Sequence, residues 1–347
     1  MLSENVKQRV AVIGAGVAGM SAAIALKRAG VEADVYEKES DPGGHLSRWH
    51  ALFPGREDAA TLLGGFLRDV KENGLEVRTS TAVSAIARED GRFTLTTASG
   101  EHAGYGAVIL ANGFTLFDAS RKEEYGYGIY PRVITSPDLE KRMEDPETGL
   151  LISNKAPERV AFVHCVGSRD AKAGNRYCSR VCCITGVKQA ISVKEQYPDC
   201  EVMNFYMDLR MFGSGYEELY QEAQEKYGIN FIRGRVSEAA MTIDGRIQVK
   251  AEDTLLGRPL KVSVDWLVLL VGMEPGIPGS WLESLGVEPD MAGFGGSRNP
   301  FLLPGHTSAE GVFLAGACAG PASIPDSVNQ GRAAALSVIH YLQSHHG

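Results

Sequence analysis

Four cysteines fall within nineteen residues: Cys165, Cys178, Cys182 and Cys183, in the pattern C-x12-C-x3-C-C. The whole chain of 347 residues holds only six. Thiolates are the soft ligands that iron–sulfur clusters need, and four of them complete a cubane. Cys165 is expected at a strand end and the other three on a loop running into a helix, so that one short segment wraps one cluster. Arg169, Arg176 and Arg180 stand close by in sequence, where they offset the negative charge of a ligated cluster. Structural zinc and buried free thiols are the competing readings, but zinc sites more often show paired C-x2-C knuckles, which are absent. The adjacent Cys182 and Cys183 could form only a strained vicinal disulfide, and the chain has no C-x-x-C for disulfide exchange. Cys200 stands alone and is expected to be a small buried hydrophobe.

A second chemistry lies near the N-terminus. Gly14-Ala15-Gly16-Val17-Ala18-Gly19 is a G-x-G-x-x-G between an apolar strand, Arg9–Ile13, and a helix over Met20–Ala29. The glycines permit a tight turn and close approach of a pyrophosphate to the helix N-terminus, whose amides and dipole favour anions. Glu37 ends the next strand, Val31–Glu37, at the distance at which an acid holds a ribose hydroxyl. Asp41-Pro42-Gly43-Gly44 follows. That second glycine pair, the strand Ala107–Gly113 (AVILANG) and the segment Thr307–Ala317 (TSAEGVFLAGA) resemble the FAD-binding segments of two-dinucleotide-domain flavoproteins. The acid usual at the end of the last segment is replaced by Cys318. The helix after Ile324-Pro325-Asp326-Ser327 is expected to begin near Asp326, its dipole facing the flavin pyrimidine edge.

These sites imply a βαβ framework and a parallel sheet. A helix is expected over 59–73, strands over 76–79 and 93–97, and a buried strand over 105–111. The stretch 114–156 reads as an irregular crossover. Beyond it come strand 159–164, the cysteines, helix 186–196, strand 201–206, helix 216–227, strands 243–250 and 260–264, return strand 265–271, last strand 311–315 and a helix to 342. The expected fold class is α/β, a thioredoxin reductase-like flavoprotein with two dinucleotide-binding domains. The FAD domain is expected over 1–135 and 285–347, with an inserted NAD-domain-like module over 136–284 carrying the cluster. In that module the strand end reads His164-Cys165-Val166-Gly167-Ser168-Arg169, with one glycine and no evident nest for a second pyrophosphate. Little or no NAD(P)H binding is therefore expected.

Hydrophobic residues make up 44% and charged residues 22%, ordinary for a globular protein, and the net charge of −8 argues against a general nucleic-acid surface. No apolar run has the length of a membrane helix, and the first ten residues show no signal-peptide pattern. A cytoplasmic protein with reduced thiols is expected.

The pattern C-x12-C-x3-C-C followed by Ile184-Thr185-Gly186-Val187-Lys188-Gln189-Ala190, and the tail Gly316-Ala317-Cys318-Ala319-Gly320-Pro321 with Ile324-Pro325-Asp326-Ser327-Val328, resembles the A-subunit family of heterodisulfide reductase. The resemblance implies FAD and one 4Fe–4S cluster held by Cys165, Cys178, Cys182 and Cys183, in a homodimer within a larger complex. It implies FAD contacts from Gly14, Gly16, Val17, Ala18 and Gly19, then Glu37 and Lys38, and next Gly43, Gly44, His45 and Leu46. Val83 follows, as do Ala111, Asn112 and Gly113, and in the tail Gly316, Ala317, Ile324 and Ser327. Lys188 falls where that family has a lysine near the flavin N5, a catalytic position at which it tunes the flavin; otherwise it is a solvated helix lysine. Methanogen-type members carry a further cysteine-rich domain and ferredoxin motifs not seen here. The chain is therefore more similar to the short form in the heterodisulfide reductase-like complex of sulfur-oxidising bacteria. The related flavoprotein of quinone-interacting complexes is the alternative. An NAD(P)H-dependent disulfide reductase and a non-catalytic platform that keeps FAD for stability are the competing functions.

Overall fold

The computed structural model describes residues 9–145 and 148–345; residues 1–8, part of the stretch searched for a signal peptide, and two residues of the 114–156 crossover lie outside it. The chain divides into two compact units. The first takes in residues 9–47, 60–115 and 274–345, and the second residues 48–59 and 116–273.

In the first unit, strand Arg9–Ile13 pairs in parallel with Glu32–Tyr36 on one side and with Gly100–Leu110 on the other, Ile13 lying opposite Tyr36 and Leu110. Its RVAVI run is buried after Arg9, as a central parallel strand covered on both faces must be. Val77–Arg78 extends one edge, Arg92–Thr97 and Val83–Glu89 extend the other in antiparallel fashion, and Val312–Leu314 joins Gly100–Leu110 in parallel. Helices Val17–Arg28 and Ile324–His345 pack their alanine-rich faces together, and a Cβ at Gly331 would collide with the Ala18 carbonyl. Strand Val83–Glu89 escaped the sequence reading because only Ile86 of its seven residues is buried, and its charged outer face resembles a turn.

The second unit holds a five-stranded sheet in the order Asn230–Arg233, Glu201–Tyr206, Arg159–Val166, Trp266–Val271, Val133–Thr135, all parallel. Helices Ser136–Met143, Cys182–Gln196 and Tyr216–Glu225 accompany it, and Val236–Met241, Ile247–Asp253 and Arg258–Val264 form an antiparallel sheet. The stretch expected to be irregular therefore contains the strands Phe114–Leu116 and Val133–Thr135 and a helix. Thr135 and Asp138 close that helix start as a capping box with Pro137 in the first turn, a signature that was present in the sequence.

The division differs from expectation at three places, one being residues 48–59, which fall in the second unit. Val133–Thr135 pairs with Trp266–Val271, which draws 116–135 into the second unit. Helix Gly279–Leu285 belongs to the first unit, where Trp281 Nε1 donates to the Ser84 carbonyl at 3.2 Å and Ser284 Oγ to the Ile86 carbonyl at 3.1 Å.

Candidate functional sites in the two units

In the first unit the glycine turn sits at the carboxyl ends of the parallel strands, where open α/β sheets bind ligands. Gly14 adopts φ +105°, and a Cβ there would lie 2.5 Å from the Ala111 carbonyl oxygen. A Cβ at Gly19 would run into the Gly14 carbonyl itself, so this glycine lets the helix start sit against the turn. Gly16 differs: its Cβ would meet nothing nearer than Gly44 Cα at 4.0 Å, leaving the room a pyrophosphate needs. Gly16 is also the N-cap of helix Val17–Arg28 and has no side chain to occupy the free amides.

The other expected cofactor residues gather around this turn. The Gly43 N–H donates to the Ala15 carbonyl at 2.9 Å, and Gly44 follows in the left-handed region. The buried Glu37 carboxylate accepts from Ala15 N–H at 2.8 Å and Glu39 N–H at 3.0 Å, which fixes it at the strand end with lone pairs to spare. Lys38 is exposed beside Glu39. His45 stacks on Phe114 with centroids 3.9 Å apart, and Leu46 is buried. Asn112 Nδ2 donates to the Gly276 carbonyl at 2.6 Å, while its buried Oδ1 has no protein partner. A Cβ at Gly316 would lie 2.6 Å from Ala18 Cβ and 3.6 Å from Ser327, which brings the tail segment to the turn. Ala317 is buried in the short 3-10 turn that Gly316 begins. Val83 begins the edge strand, two residues after Thr81, whose N–H donates to the Glu37 carbonyl at 2.7 Å.

The tail departs from expectation in two ways. The last helix begins at Ile324, and Ser323 and Asp326 exchange hydrogen bonds of 3.2 Å at its start. Cys318 is not a substitute for a cofactor-facing acid: its thiol donates to the Leu110 carbonyl at 3.0 Å within the core, and burial pushes it up to about 12. Gln330 went unnoticed in the sequence, yet its Oε1 accepts from Gly316 N–H at 2.9 Å and holds the turn in place.

In the second unit, Cys165 is the next-to-last residue of strand Arg159–Val166 and adopts φ +61°. Helix Cys182–Gln196 begins four residues earlier than expected, so Cys182 and Cys183 occupy its first turn. That end has no capping side chain and no acid, a setting that favours thiolates. Cys182 hydrogen-bonds to both Cys165 and Cys183 and keeps its proton, well above the usual thiol range. Its bond with Cys183 lowers that thiol to about 4 against burial, with His164 assisting, and its bond with Cys165 lowers that one to about 7. Burial works against a charge on His164, but its contacts with Cys183 and Asn204 raise it overall. Cys178 is half-buried and accepts from Arg180 N–H at 3.3 Å. The Arg169 guanidinium feels both Cys165 and Cys178, which puts the fourth thiol in the same neighbourhood. Among the described residues, no group of three or more His, Cys, Asp or Glu side chains is placed to hold a metal ion. Cys182 thus links Cys165 and Cys183 at an uncapped helix start, with Cys178 near the same arginine.

The loop that carries Cys178 is braced. Arg169 N–H donates to the Tyr177 carbonyl, and Asp170 and Asn175 exchange backbone bonds. Buried Asp170 takes Lys122 Nζ at 2.8 Å and Arg235 at 2.9 Å. Arg169 and Arg180 are left-handed like Cys165, a conformation that costs a non-glycine residue roughly 1–3 kcal/mol and that persists where surroundings enforce it.

At the end of strand Arg159–Val166 the chain packs closely on itself. Gly167 lies so close under the buried Phe117 ring that a Cβ would overlap it, and the Arg121 guanidinium carbon lies 4.5 Å from the same ring's centroid. Ser179 Oγ accepts from Met273 N–H at 3.0 Å at the same strand ends.

Lys188 is not a solvated lysine. Its side chain is 2% exposed, it pairs with Glu140, and its ammonium lies 5.5 Å from the Trp49 ring centroid. Glu140 also accepts from Gln189 Nε2 at 2.6 Å and His50 N–H at 2.9 Å. Burial lowers Lys188 despite the pull of Glu140.

The two units and the glycine cradle define a thioredoxin reductase-like flavoprotein with two dinucleotide-binding domains. Residues 8–163 and 184–331 match the model of the pyridine nucleotide-disulphide oxidoreductase family, and the chain belongs to that family of oxidoreductases, whose fold carries a flavin. It is similar to the second iron-sulfur A-subunit of CoB–CoM heterodisulfide reductase from Methanopyrus kandleri, 45% identical over 66% of this chain and 36% of that protein. It is also 44% identical to the corresponding iron-sulfur A-subunit of Methanocaldococcus jannaschii, over 67% of this chain and 36% of that protein. The matched region thus spans about a third of these relatives. Among solved structures, thioredoxin reductase from T. acidophilum superposes with a TM-score of 0.69 at 21% identity, over 96% of this chain and 98% of that one. Among the described residues, no helix is long and apolar enough to cross a membrane.

Proposed function

We propose that the chain is an FAD- and 4Fe–4S-containing electron-transfer subunit of a heterodisulfide reductase-like complex in the cytoplasm, working in sulfur metabolism. It relays electrons between thiol or disulfide chemistry on partner subunits and an acceptor, and it acts as a homodimer. The first unit holds FAD through the Gly14–Gly19 turn, Glu37, Gly43 and the tail at Gly316 and Ser327. In the second unit Cys165, Cys178, Cys182 and Cys183 hold the cluster, and Lys188 is the cation that tunes the flavin, its charge set by Glu140. When bound, the two groups supply one-electron transfer and its exchange with two-electron chemistry. The observation that carries this reading is the meeting of Cys165, Cys182 and Cys183 at an uncapped helix start. The names of the relatives, iron-sulfur subunits of heterodisulfide reductases, support it.

Anaerobically purified protein is expected to contain iron and acid-labile sulfide in a ratio near one, and to give an EPR signal on reduction. Cys182→Ser is expected to lose that signal while retaining FAD. Protein without iron, or a variant with the signal intact, defeats the ligand assignment.

The lone glycine at this strand end, Gly167, packed under Phe117, favours this reading over a self-sufficient NAD(P)H-dependent reductase. Under anaerobic stopped flow, NADPH is expected to leave the flavin absorbance unchanged while dithionite bleaches it. Fast bleaching by NADPH restores the reductase reading.

A further inference from the structure

We propose that the exposed face formed by Arg180, Arg210 and Phe212, beside the cysteine site, is the docking surface for an acidic electron-carrier protein. The inference rests on the relay reading above and names the kind of partner it needs. After strand Glu201–Tyr206 the chain runs through residues 207–214 without regular structure before helix Tyr216–Glu225 begins. That segment lies against the cysteines: the Asp208 carbonyl oxygen is 3.9 Å from Cys183 Sγ, and the Arg210 N–H also bonds to Cys183. Its outer side carries Phe212, 69% exposed, with the Arg180 guanidinium carbon 5.5 Å from the ring centroid. Arg180 in turn donates its N–H to Cys178, the one cysteine of the four that is not fully buried. An exposed aromatic ring beside thiols that carry chemistry is not explained by folding, since it leaves apolar area in water.

The two segments that carry it are basic in an acidic chain, with Glu217 and Glu218 opening the helix that follows. Arg169, Lys172, Arg176, Arg180 and Arg210 stand in segments 165–183 and 207–215 against only Asp170 and Asp208, in a chain of net charge −8. Asp170 is buried against Lys122, and Asp208 pairs with Arg169 and Arg210. A basic face on an acidic protein selects partners by sign and speeds their encounter, and arginine with an aromatic ring is the composition of binding hot spots. A compact protein with an acidic patch meets both features. A nucleic-acid duplex would use the arginines alone, and a single strand, which could also stack on Phe212, is disfavoured by the chain's net charge of −8.

Calorimetry with an acidic two-iron ferredoxin as probe, and a basic c-type cytochrome as its opposite in sign, tests the surface on the full chain. The ferredoxin is expected to bind at low salt and to weaken about tenfold or more near 0.3 M salt, while the cytochrome does not bind. Arg210→Glu with Phe212→Ser is expected to weaken ferredoxin binding at least about tenfold. Phe212→Ser alone should weaken it less, and Lys261→Glu, on the exposed strand Arg258–Val264, should leave it unchanged. Thermal unfolding checks that each variant is folded. No binding by the wild type, equal binding by the double variant, an equal loss in Lys261→Glu, or equally tight binding of a single-stranded oligonucleotide overturns the proposal. Iron is counted in the same samples: its absence defeats the relay reading, whereas the binding series judges the surface by itself.

Discussion

Gly19→Ala is expected to leave the purified protein without flavin and to destabilise the first unit by about 3 kcal/mol, the upper end for overpacking. The added Cβ would meet the Gly14 carbonyl oxygen, a backbone atom that cannot rotate away. Gly14 is held in turn, because its N–H donates to the Tyr36 carbonyl at 2.8 Å and its Cα lies against the Ala111 carbonyl. Relief therefore requires the helix Val17–Arg28 to retreat from the strand ends, and its packing against Ile324–His345 is lost with it. Gly16→Ala separates fold from cofactor. Its Cβ has open space, so the variant is expected to melt like the wild type yet bind flavin at least about tenfold more weakly, since the methyl occupies room a pyrophosphate uses. Flavin absorbance after desalting and the thermal midpoint measure both. A Gly19→Ala protein with its full flavin complement contradicts the assignment of the cradle.

The cradle was legible because its chemistry is backbone chemistry. Gly14 and Gly19 are required by local geometry, Gly16 is marked by the motif spacing alone, and Glu37 follows at a spacing set by one βαβ unit. The cysteines were legible as a group by their spacing, but their states were not. That Cys182 bridges Cys165 and Cys183 depends on the helix starting at Cys182 and on His164 standing behind Cys183, a tertiary arrangement. Phe117 on Gly167 was invisible for the same reason, since about fifty residues separate them in sequence. Glu140 lies in a stretch whose Pro, Gly and charged residues read as irregular, although Thr135-Ser136-Pro137-Asp138 announces the helix that carries it. Edge strands such as Val83–Glu89 and Asn230–Arg233 bury too few side chains to show a period.

Glu140→Ala is expected to cost about 3–5 kcal/mol, because it leaves Lys188 as an unpaired charge in a dry site. The loss has several parts that reinforce one another. Lys188 Nζ and Gln189 Nε2 lose their acceptor, and so do the N–H groups of His50 and Ala51, which brace the segment Arg48–Ala59 against the rest of the second unit. Replacing both members of the pair, Lys188→Met with Glu140→Leu, removes the charges together and is expected to recover most of the stability. The single charge-removing change, Glu140→Gln, gives the pH test. Burial already holds Lys188 below its ordinary 10.5, and Glu140 opposes that fall. Without the carboxylate Lys188 falls further, so the folded state binds fewer protons than the unfolded chain over a wider window below 10.5. Stability rises with pH wherever the unfolded state binds more protons. The melting deficit of Glu140→Gln against wild type is therefore expected to shrink steadily between about pH 7 and about pH 10, the unfolded lysine giving up its proton as well. A deficit that is constant across that range means that Glu140 acts on the backbone of His50 and not on the charge of Lys188, and the lysine would then be free of the control that the pair is proposed to exert.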